Sequence, residues 1–495
     1  MAEMDMSEHP PNPRNHRAVT SPGRRRLIVG IGAGLAVVVV AAGAYFVAGP
    51  GTESAELTSA TASQGAAEAP GATNGQALAA GAAPSAPVAS QASASGPPSA
   101  SASPSAAAAK AGGGCTRPVG ATPKAKVTEV KLGVKVTGYG GQGDTEALPM
   151  AIAARPAGGS WLAWLGTDKR VYLGKLDCDD KLVGRPTSFT GIDLQDVQAD
   201  SKGGVILLTR AGSCGSGPLC GGASSPCNTM HMIRFDDSGR QVWERQVTNL
   251  SSSRTGYDDG ARFVWWYQHH GRLATDGKNY AAYFGVAITV KNGSCVDIHE
   301  GDRMQVVSAS GNLVTSNKDA FEVGCSHAWT SRIVWDPRTG HFVTVCATDN
   351  DCRIARPNPY RTVAAGTCDG TLFGGDLVLS SKSGYWTAWS QGGTARLEHF
   401  TTGRSDTTVR TGAATAHPHL VAYGSKRMLM VWGSGSSMAA QVYDAGSGKA
   451  VGSKFTIAAK DHDYQAFKAF PDGSAAYAAA GGTSTTIKIA RVLPS

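Results

Sequence analysis

The chain of 495 residues is 41% hydrophobic and 17% charged, with a formal net charge of +8. Its 46 basic and 38 acidic residues are interspersed. This mixed pattern argues against nucleic acid as the main partner, because a nucleic-acid surface needs a continuous basic stripe. Roughly the first hundred residues cannot contribute to a core, which leaves one large domain.

The N-terminal part predicts a membrane anchor. Residues 1–26 form a polar, basic tail, and residues 27–48 carry no charge and are long enough to cross a hydrocarbon core of about 30 Å as a helix. Three arginines end the tail and no lysine or arginine follows the apolar run before Lys110, so the positive-inside bias places the tail in the cytoplasm. A cleaved signal peptide is the alternative, but its apolar part is usually only about 7 to 15 residues long.

Residues 49–112 predict a disordered linker. They are almost wholly Ala, Ser, Pro, Gly and Thr, and such a segment cannot bury enough apolar surface to offset its chain entropy. Fully extended, it reaches on the order of 200 Å. The short basic tail, single anchor and alanine-rich stalk resemble surface proteins of actinobacteria such as Streptomyces. This resemblance implies a single-pass protein of the cell membrane whose C-terminal domain is extracellular.

The cysteines indicate disulfide bonds in an oxidising compartment. Their number is even and all of them follow the apolar segment, whereas a zinc site would show pairs separated by two residues. The ten candidates are Cys115, Cys178, Cys214, Cys220, Cys227, Cys295, Cys325, Cys346, Cys352 and Cys368. Cys346 and Cys352 flank one short tip, so we predict a bond between them that staples a hairpin.

From about residue 127 onward the sequence predicts an all-β domain. Seven stretches show an apolar run, a turn that contains glycine and a second apolar run, the pattern of a β-hairpin. They begin at Met150, Asp196, Gly271, Ser331, Asp376, His419 and Ala466. Further short strands lie between them, so that each unit has three or four.

The spacing of these units predicts a β-propeller. Their turn glycines are about 40 to 50 residues apart, except for two longer intervals that carry insertions. The last unit has only three strands, and a lone strand at residues 126–136 would complete it and close the ring. Residues 126–495 thus resemble seven-bladed β-propellers in architecture, within a predicted domain of residues 113–495. Six blades is the alternative count, if one unit is irregular.

Loops that enter the blades on one face are the expected binding surface. Six histidines fall on these loops, and together with nearby aspartates they would form a metal or anion site if they converge near the axis. The histidines are His269, His270, His327, His417, His419 and His462, and the aspartates are Asp258, Asp259, Asp461 and Asp463. The alternative is that they hydrogen-bond one blade to the next.

The insertion at residues 257–270 is a second candidate for binding. It places Phe263, Trp265, Trp266 and Tyr267 near two carboxylates, a composition shared by sugar platforms and protein hot spots. The same alternation fits an ordinary buried strand. A cysteine-rich insertion at 211–228 predicts a disulfide-pinned surface loop.

The functional prediction is therefore a cell-surface binding protein for an extracellular protein or a cell-wall glycan. The same display would suit a docking receptor for a secreted toxin or phage component. An extracellular glycan hydrolase or lyase is the alternative, although none of the common catalytic motifs is present. A scaffold without a specific ligand is a third possibility. Residues 347–352 offer oxygen ligands for Ca²⁺ but lack the rest of a calcium loop, so no cofactor is expected.

Overall fold

The computed structural model describes residues 114–136, 150–211, 227–248, 257–264, 271–292, 295–314, 321–323, 331–348, 352–357, 360–415, 417–462 and 465–495. Within these ranges the chain builds strands β1 to β30, and no helix there is long and apolar enough to span a membrane. The predicted tail (1–26), transmembrane helix (27–48) and linker (49–112) lie outside the described residues.

Strand β1 (Lys124–Lys131) comes first in the chain and joins the last blade. The strands that follow it form seven blades. Blade 1 contains β2 (Met150–Ala154), β3 (Ser160–Leu165), β4 (Arg170–Leu176) and β5 (Leu182–Thr190). Blade 2 contains β6 (Asp196–Ala199), β7 (Val205–Ala211), β8 (Cys227–Phe235) and β9 (Gln241–Gln246), and β10 (Tyr257–Val264) follows it. Blade 3 contains β11 (Arg272–Thr275), β12 (Asn279–Asn292), β13 (Cys295–Ser308) and β14 (Leu313–Val314), and β15 (Phe321–Val323) follows it.

The remaining blades are regular four-stranded antiparallel sheets. Blade 4 contains β16 (Ser331–Asp336), β17 (His341–Thr348), β18 (Arg353–Arg356) and β19 (Arg361–Ala365). Blade 5 contains β20 (Phe373–Leu379), β21 (Tyr385–Gln391), β22 (Thr394–Phe400) and β23 (Thr407–Ala414). Blade 6 contains β24 (His419–Tyr423), β25 (Arg427–Ser434), β26 (Ser437–Asp444) and β27 (Ala450–Ile457). Blade 7 contains β28 (Lys468–Ala469), β29 (Ala475–Ala480) and β30 (Thr486–Leu493), with β1 as its outermost strand.

The ring closes as the sequence predicts. Strand β1 pairs antiparallel with β30 along its whole length, from Lys124 opposite Leu493 to Lys131 opposite Thr486. The innermost strands of successive blades contact one another, and the first contacts the last. A buried ion pair between Arg491 of blade 7 and Asp180 of blade 1 supports the closure, with Nε 3.0 Å from the carboxylate. The prediction of seven blades is confirmed, and six is wrong.

The core lies between the blades, because second strands such as β3, β7 and β21 are buried on both faces. In β3, Trp161 packs with Phe235 of blade 2, while Trp164 packs with Ile487 of blade 7. The Trp161 indole also donates a 3.0 Å hydrogen bond to the carbonyl of Gly203 in the neighbouring blade. Blades are therefore joined by apolar contact and by polar links at their edges.

The cysteines form disulfide bonds, as predicted, but the one pairing that was predicted is not formed. Cys115 bonds to Cys178, and Cys352 bonds to Cys368, so the predicted bond between Cys346 and Cys352 is wrong. Cys346 lies inside β17 opposite Ala355, whereas Cys352 precedes β18 and its carbonyl accepts a hydrogen bond from Gly366 N, which brings Cys368 close. Cys346 is itself disulfide-bonded, and the described part of the chain contains no free cysteine.

Candidate functional site

One end of the propeller, the entry face, collects charged residues around its axis. A blade of four strands returns the chain to the face where it started, so every innermost strand begins on this face. In six of the seven blades a charged or ionisable residue lies at or near that start. Together with Asp461 these residues are named the axial network: Asp196, Arg272, Arg332, Asp376, His419 and Lys468.

Ion pairs of the axial network join different blades, and two of the three join blades that are not neighbours. The ammonium of Lys468 in blade 7 lies 2.7 Å from the carboxylate of Asp196 in blade 2. Asp376 of blade 5 receives Arg332 of blade 4 at 2.7 Å and Arg272 of blade 3 at 3.7 Å. Each of these pairs therefore ties together separate parts of the ring.

The same carboxylates also bind the backbone of the next blade. Asp196 accepts a 2.9 Å hydrogen bond from Leu273 N, and Asp376 accepts one of 3.2 Å from Leu420 N. A side chain at the start of one innermost strand thus fixes the start of the following one. The axial network is built into the backbone geometry as well as into the charge distribution.

His419 is the central cation of this network. Its side chain is only 1% exposed and lies between two carboxylates, with Nε2 2.7 Å from Asp461 and Nδ1 3.7 Å from Asp376. Burial lowers the pKa of His419, but the charge of Asp461 and the hydrogen bond to Asp376 outweigh burial and raise the pKa to about 9. His419 is therefore an imidazolium at neutral pH.

The pKa values of Asp376 and Arg332 are also shifted by burial and by neighbouring charges. Burial raises the pKa of Asp376, but the charge of Arg332 and the hydrogen bond to His419 exceed this effect and hold that pKa well below its usual range. Burial lowers the pKa of Arg332 to about 10, and the like charge of Arg272 contributes. Chemically, the network holds ionised groups in a dry environment, which requires that they be paired.

The predicted histidines converge in part. His417 and His462 lie close enough to Asp461 that their charges help His419 to lower the pKa of that carboxyl, against the effect of burial. The His417 ring also packs on Phe373, with 4.4 Å between ring centroids. Across the described residues no group of three or more His, Cys, Asp or Glu side chains is arranged to hold a metal ion.

The structure describes no side-chain position for the other predicted binding residues. Asp258 and Asp259 lie in β10, where only the backbone is described. His269, His270, His327, Trp265, Trp266 and Asp463 lie outside the described residues. Their roles in binding remain predictions.

Sequence reasoning missed most of the axial network. The signal was present in the hairpins, because Asp196, Arg272, Arg332, His419 and Lys468 all lie at the beginning of an otherwise apolar inner strand. An aligned set of the seven hairpins would have shown a recurring charge at this position. Which charges pair across the axis depends on ring closure, and a single hairpin carries no such information.

A projecting sheet distinguishes the entry face over blades 2 and 3. Strands β12 and β13 have 14 residues each, whereas the corresponding strands of blades 5 and 6 have seven or eight. Tyr283 lies opposite Arg272 at the start of the inner strand, so the part of β12 beyond Phe284 extends past the entry face by roughly 26 Å at about 3.3 Å per residue.

Strand β10 connects this projection to the neighbouring blade. Ala261 of β10 pairs with Ile288 of β12, and Val264 pairs with Cys227 of β8. On the other side, β15 pairs with β13 through Val323 and Asp302. Strands β8, β10, β12, β13 and β15 thus form one surface, named the β platform, which joins blades 2 and 3 into a ten-stranded sheet. The predicted alternative was a buried strand through residues 263–267, of which Phe263 and Val264 lie in β10 and the rest lie outside the described residues.

The comparisons with known proteins find similar solved structures at low sequence identity. No family model matches the chain, and no curated protein matches it. A Dyadobacter fermentans protein of unknown function is similar in structure at 11% identity, with 75% of this chain and 99% of that chain covered and a TM-score of 0.40. The Saccharomyces cerevisiae protein Sqt1 gives 12% identity, 74% and 97% coverage and a TM-score of 0.35. The β-propeller domain of Myceliophteria thermophila Cps50 (Swd1) gives 11% identity, 73% and 99% coverage and a TM-score of 0.36.

Proposed function

We propose that this protein is a cell-surface binding protein that receives an extracellular partner on the β platform. The observation that carries the proposal is the extension of β12 and β13 beyond the entry face, braced by β10 against blade 2. Such an extension adds nothing to ring closure, which the inner strands and β1 already provide. Loops and extensions on a rigid scaffold are where binding residues concentrate.

The partner is an extracellular protein or a cell-wall glycan, and a secreted toxin or a phage component would use the same display. β-Propellers commonly serve as protein-interaction domains. The location rests on the predicted anchor at 27–48 and the linker at 49–112, and the two described disulfides support it, because disulfides persist in oxidising compartments.

The test is a capture experiment with the head domain, residues 113–495, which contains every described strand and both described disulfides. In the test variant, residues 287–300 are replaced by Asn-Gly. Val286 and Gly301 face each other in register, so a two-residue turn joins them and keeps the inner part of the hairpin. The replacement also removes Cys295 and the residues that pair with β10, so circular dichroism and free-thiol titration check the fold and the remaining cysteines of the shortened head. Crosslinking on living cells should capture a partner with the wild-type head and lose it with the shortened head.

The matched control changes the surface away from the β platform. Val183 and Val242 are exposed on the outermost strands of blades 1 and 2, and the double variant Val183→Thr/Val242→Thr should capture the partner as well as the wild type does. Equal capture by the shortened head would show that the β platform is not the contact site.

A further inference from the structure

The face opposite the entry face carries a crescent of basic side chains around the axis. In five consecutive blades, from blade 2 to blade 6, the turn between the two innermost strands presents an exposed lysine or arginine. These residues, named the basic crescent, are Lys202, Lys278, Arg338, Lys382 and Lys426.

Two pairs of neighbouring turns in the basic crescent are hydrogen-bonded to each other. The Ser201 hydroxyl of blade 2 donates a 3.1 Å hydrogen bond to the carbonyl of Gly277 in blade 3. The guanidinium of Arg338 in blade 4 donates to the carbonyl oxygens of Lys382 and Gly384 in blade 5, at 3.0 and 2.8 Å. Adjacent basic residues therefore belong to one face with a fixed arrangement.

The carboxylates of the same turns are occupied within the protein. Asp200 is 1% exposed and lies 2.6 Å from Arg234, and Asp336 is 1% exposed and pairs with Arg338 at 2.8 Å. Asp276 accepts hydrogen bonds from the backbone of its own turn. Among the described residues, none of the four lysines of the crescent lies within 4.0 Å of a carboxylate. The inner turns of blades 2 to 6 thus hold five basic residues and three carboxylates, two of which pair with arginines, so basic side chains are in excess there.

The chain enters the propeller from this same face. Arg117 lies 2.9 Å from Asp472, which is in the inner turn of blade 7, and Cys115 bonds to Cys178, which is in the outer turn of blade 1. Gly120 N donates to the carbonyl of Pro494, just before β1 begins. The segment preceding β1 is therefore fixed to the face that bears the crescent.

We propose that the basic crescent docks the propeller on an anionic lipid surface. Its residues occupy equivalent turns of five consecutive blades, so they form an arc on one face of the ring. Such an arc can meet many phosphate headgroups of a lipid surface at once, whereas a polymer strand would need a groove. Each lysine near an anionic lipid surface increases affinity by about fivefold. The entry face then points away from the lipid with the β platform free. This inference is independent of the proposed function, which concerns the opposite face.

The experiment measures co-sedimentation of the head domain, residues 113–495, with phosphatidylcholine vesicles that contain or lack phosphatidylglycerol. The wild type should bind only the anionic vesicles, and salt should weaken binding, because exposed charges are screened. The variant Lys202→Glu/Lys278→Glu/Lys382→Glu/Lys426→Glu should lose several hundredfold in affinity, at about fivefold for each lysine.

A matched variant controls for net charge. Lys131→Glu/Lys135→Glu/Lys169→Glu/Lys460→Glu changes four exposed lysines near the entry face by the same total charge and should keep most of the binding. Equal binding to neutral and anionic vesicles, or equal losses in both variants, would overturn the proposal. So would binding to soluble polyphosphate without binding to vesicles, which would assign the crescent to a polymer.

If the test variant misfolds by circular dichroism, the single Lys→Gln variants decide, and an unchanged affinity in all four contradicts the proposal.

Discussion

At the residue scale, His419 shows how burial and charge compete in the axis of the ring. An isolated buried histidine would be neutral, because burial disfavours the charged form. Two carboxylates reverse this outcome, so the protein holds a buried cation that joins Asp376 of blade 5 to Asp461, which precedes blade 7. The sequence-based alternative had the histidines hydrogen-bond the backbone of the next blade, whereas His419 pairs with carboxylate side chains.

This arrangement predicts a pH dependence of stability. The pKa of His419 is raised from 6.5 to about 9 on folding, so its contribution is complete below pH 6.5, decreases as the pH rises and is lost above about pH 9. With about 1.4 kcal/mol per pKa unit, the contribution is on the order of 3 kcal/mol. In urea unfolding, the difference in stability between the wild type and His419→Gln should shrink by that amount between pH 6.5 and 9.

The control is His341→Gln, which changes a partly exposed histidine at the start of β17. Its difference from the wild type is the reference for replacing a histidine outside the axial network. If the His419→Gln difference were constant with pH, His419 would not titrate between its folded and unfolded states in this window.

At the element scale, the hairpins were predictable and the links between them were not. Turn glycines mark the hairpins because the chain needs them: Gly159 has φ 75° and Gly384 has φ 73°, and a Cβ at either would lie 2.0 or 2.3 Å from a carbonyl oxygen of the third strand. All seven predicted hairpins are therefore confirmed. The pairing of Cys352 with Cys368 depends on where β19 ends, and hairpin periodicity does not define that point.

Strand β1 gives an element-scale prediction. Val130 is 3% exposed and packs with Ile152 of blade 1 and Ala478 of blade 7. Val130→Asp buries an unpaired carboxylate at the junction that closes the ring, so it should cost about 3 kcal/mol or more and lower the thermal unfolding midpoint.

Lys131→Asp on the same strand is the control, since its side chain is exposed, and it should change stability by no more than about 0.5 kcal/mol. A small effect for both substitutions would mean that β1 contributes little to closure. The comparison separates the loss of the closing strand from the introduction of an acidic residue.

At the scale of the whole molecule, the two faces of the propeller carry different structural features. The entry face carries the β platform and the axial network, and the other face carries the basic crescent and the incoming chain. The candidate site was predicted only in part: the entry face, His419 and Asp461 were identified, while the other five members of the axial network were not, because they pair across a ring that only closure brings together.

The two described disulfides should stabilise this ring to different extents. Cys115 and Cys178 are 63 residues apart and join the incoming segment to blade 1, whereas Cys352 and Cys368 are 16 residues apart within blade 4 and its exit loop. A crosslink restricts the unfolded chain more when its loop is longer, so removal should cost about 4 kcal/mol for the first pair and about 3 kcal/mol for the second. Thermal unfolding of Cys115→Ser/Cys178→Ser and of Cys352→Ser/Cys368→Ser measures the difference. A larger loss for the shorter loop would show that local contacts in blade 4, and not the entropy of the unfolded chain, determine what these bonds contribute.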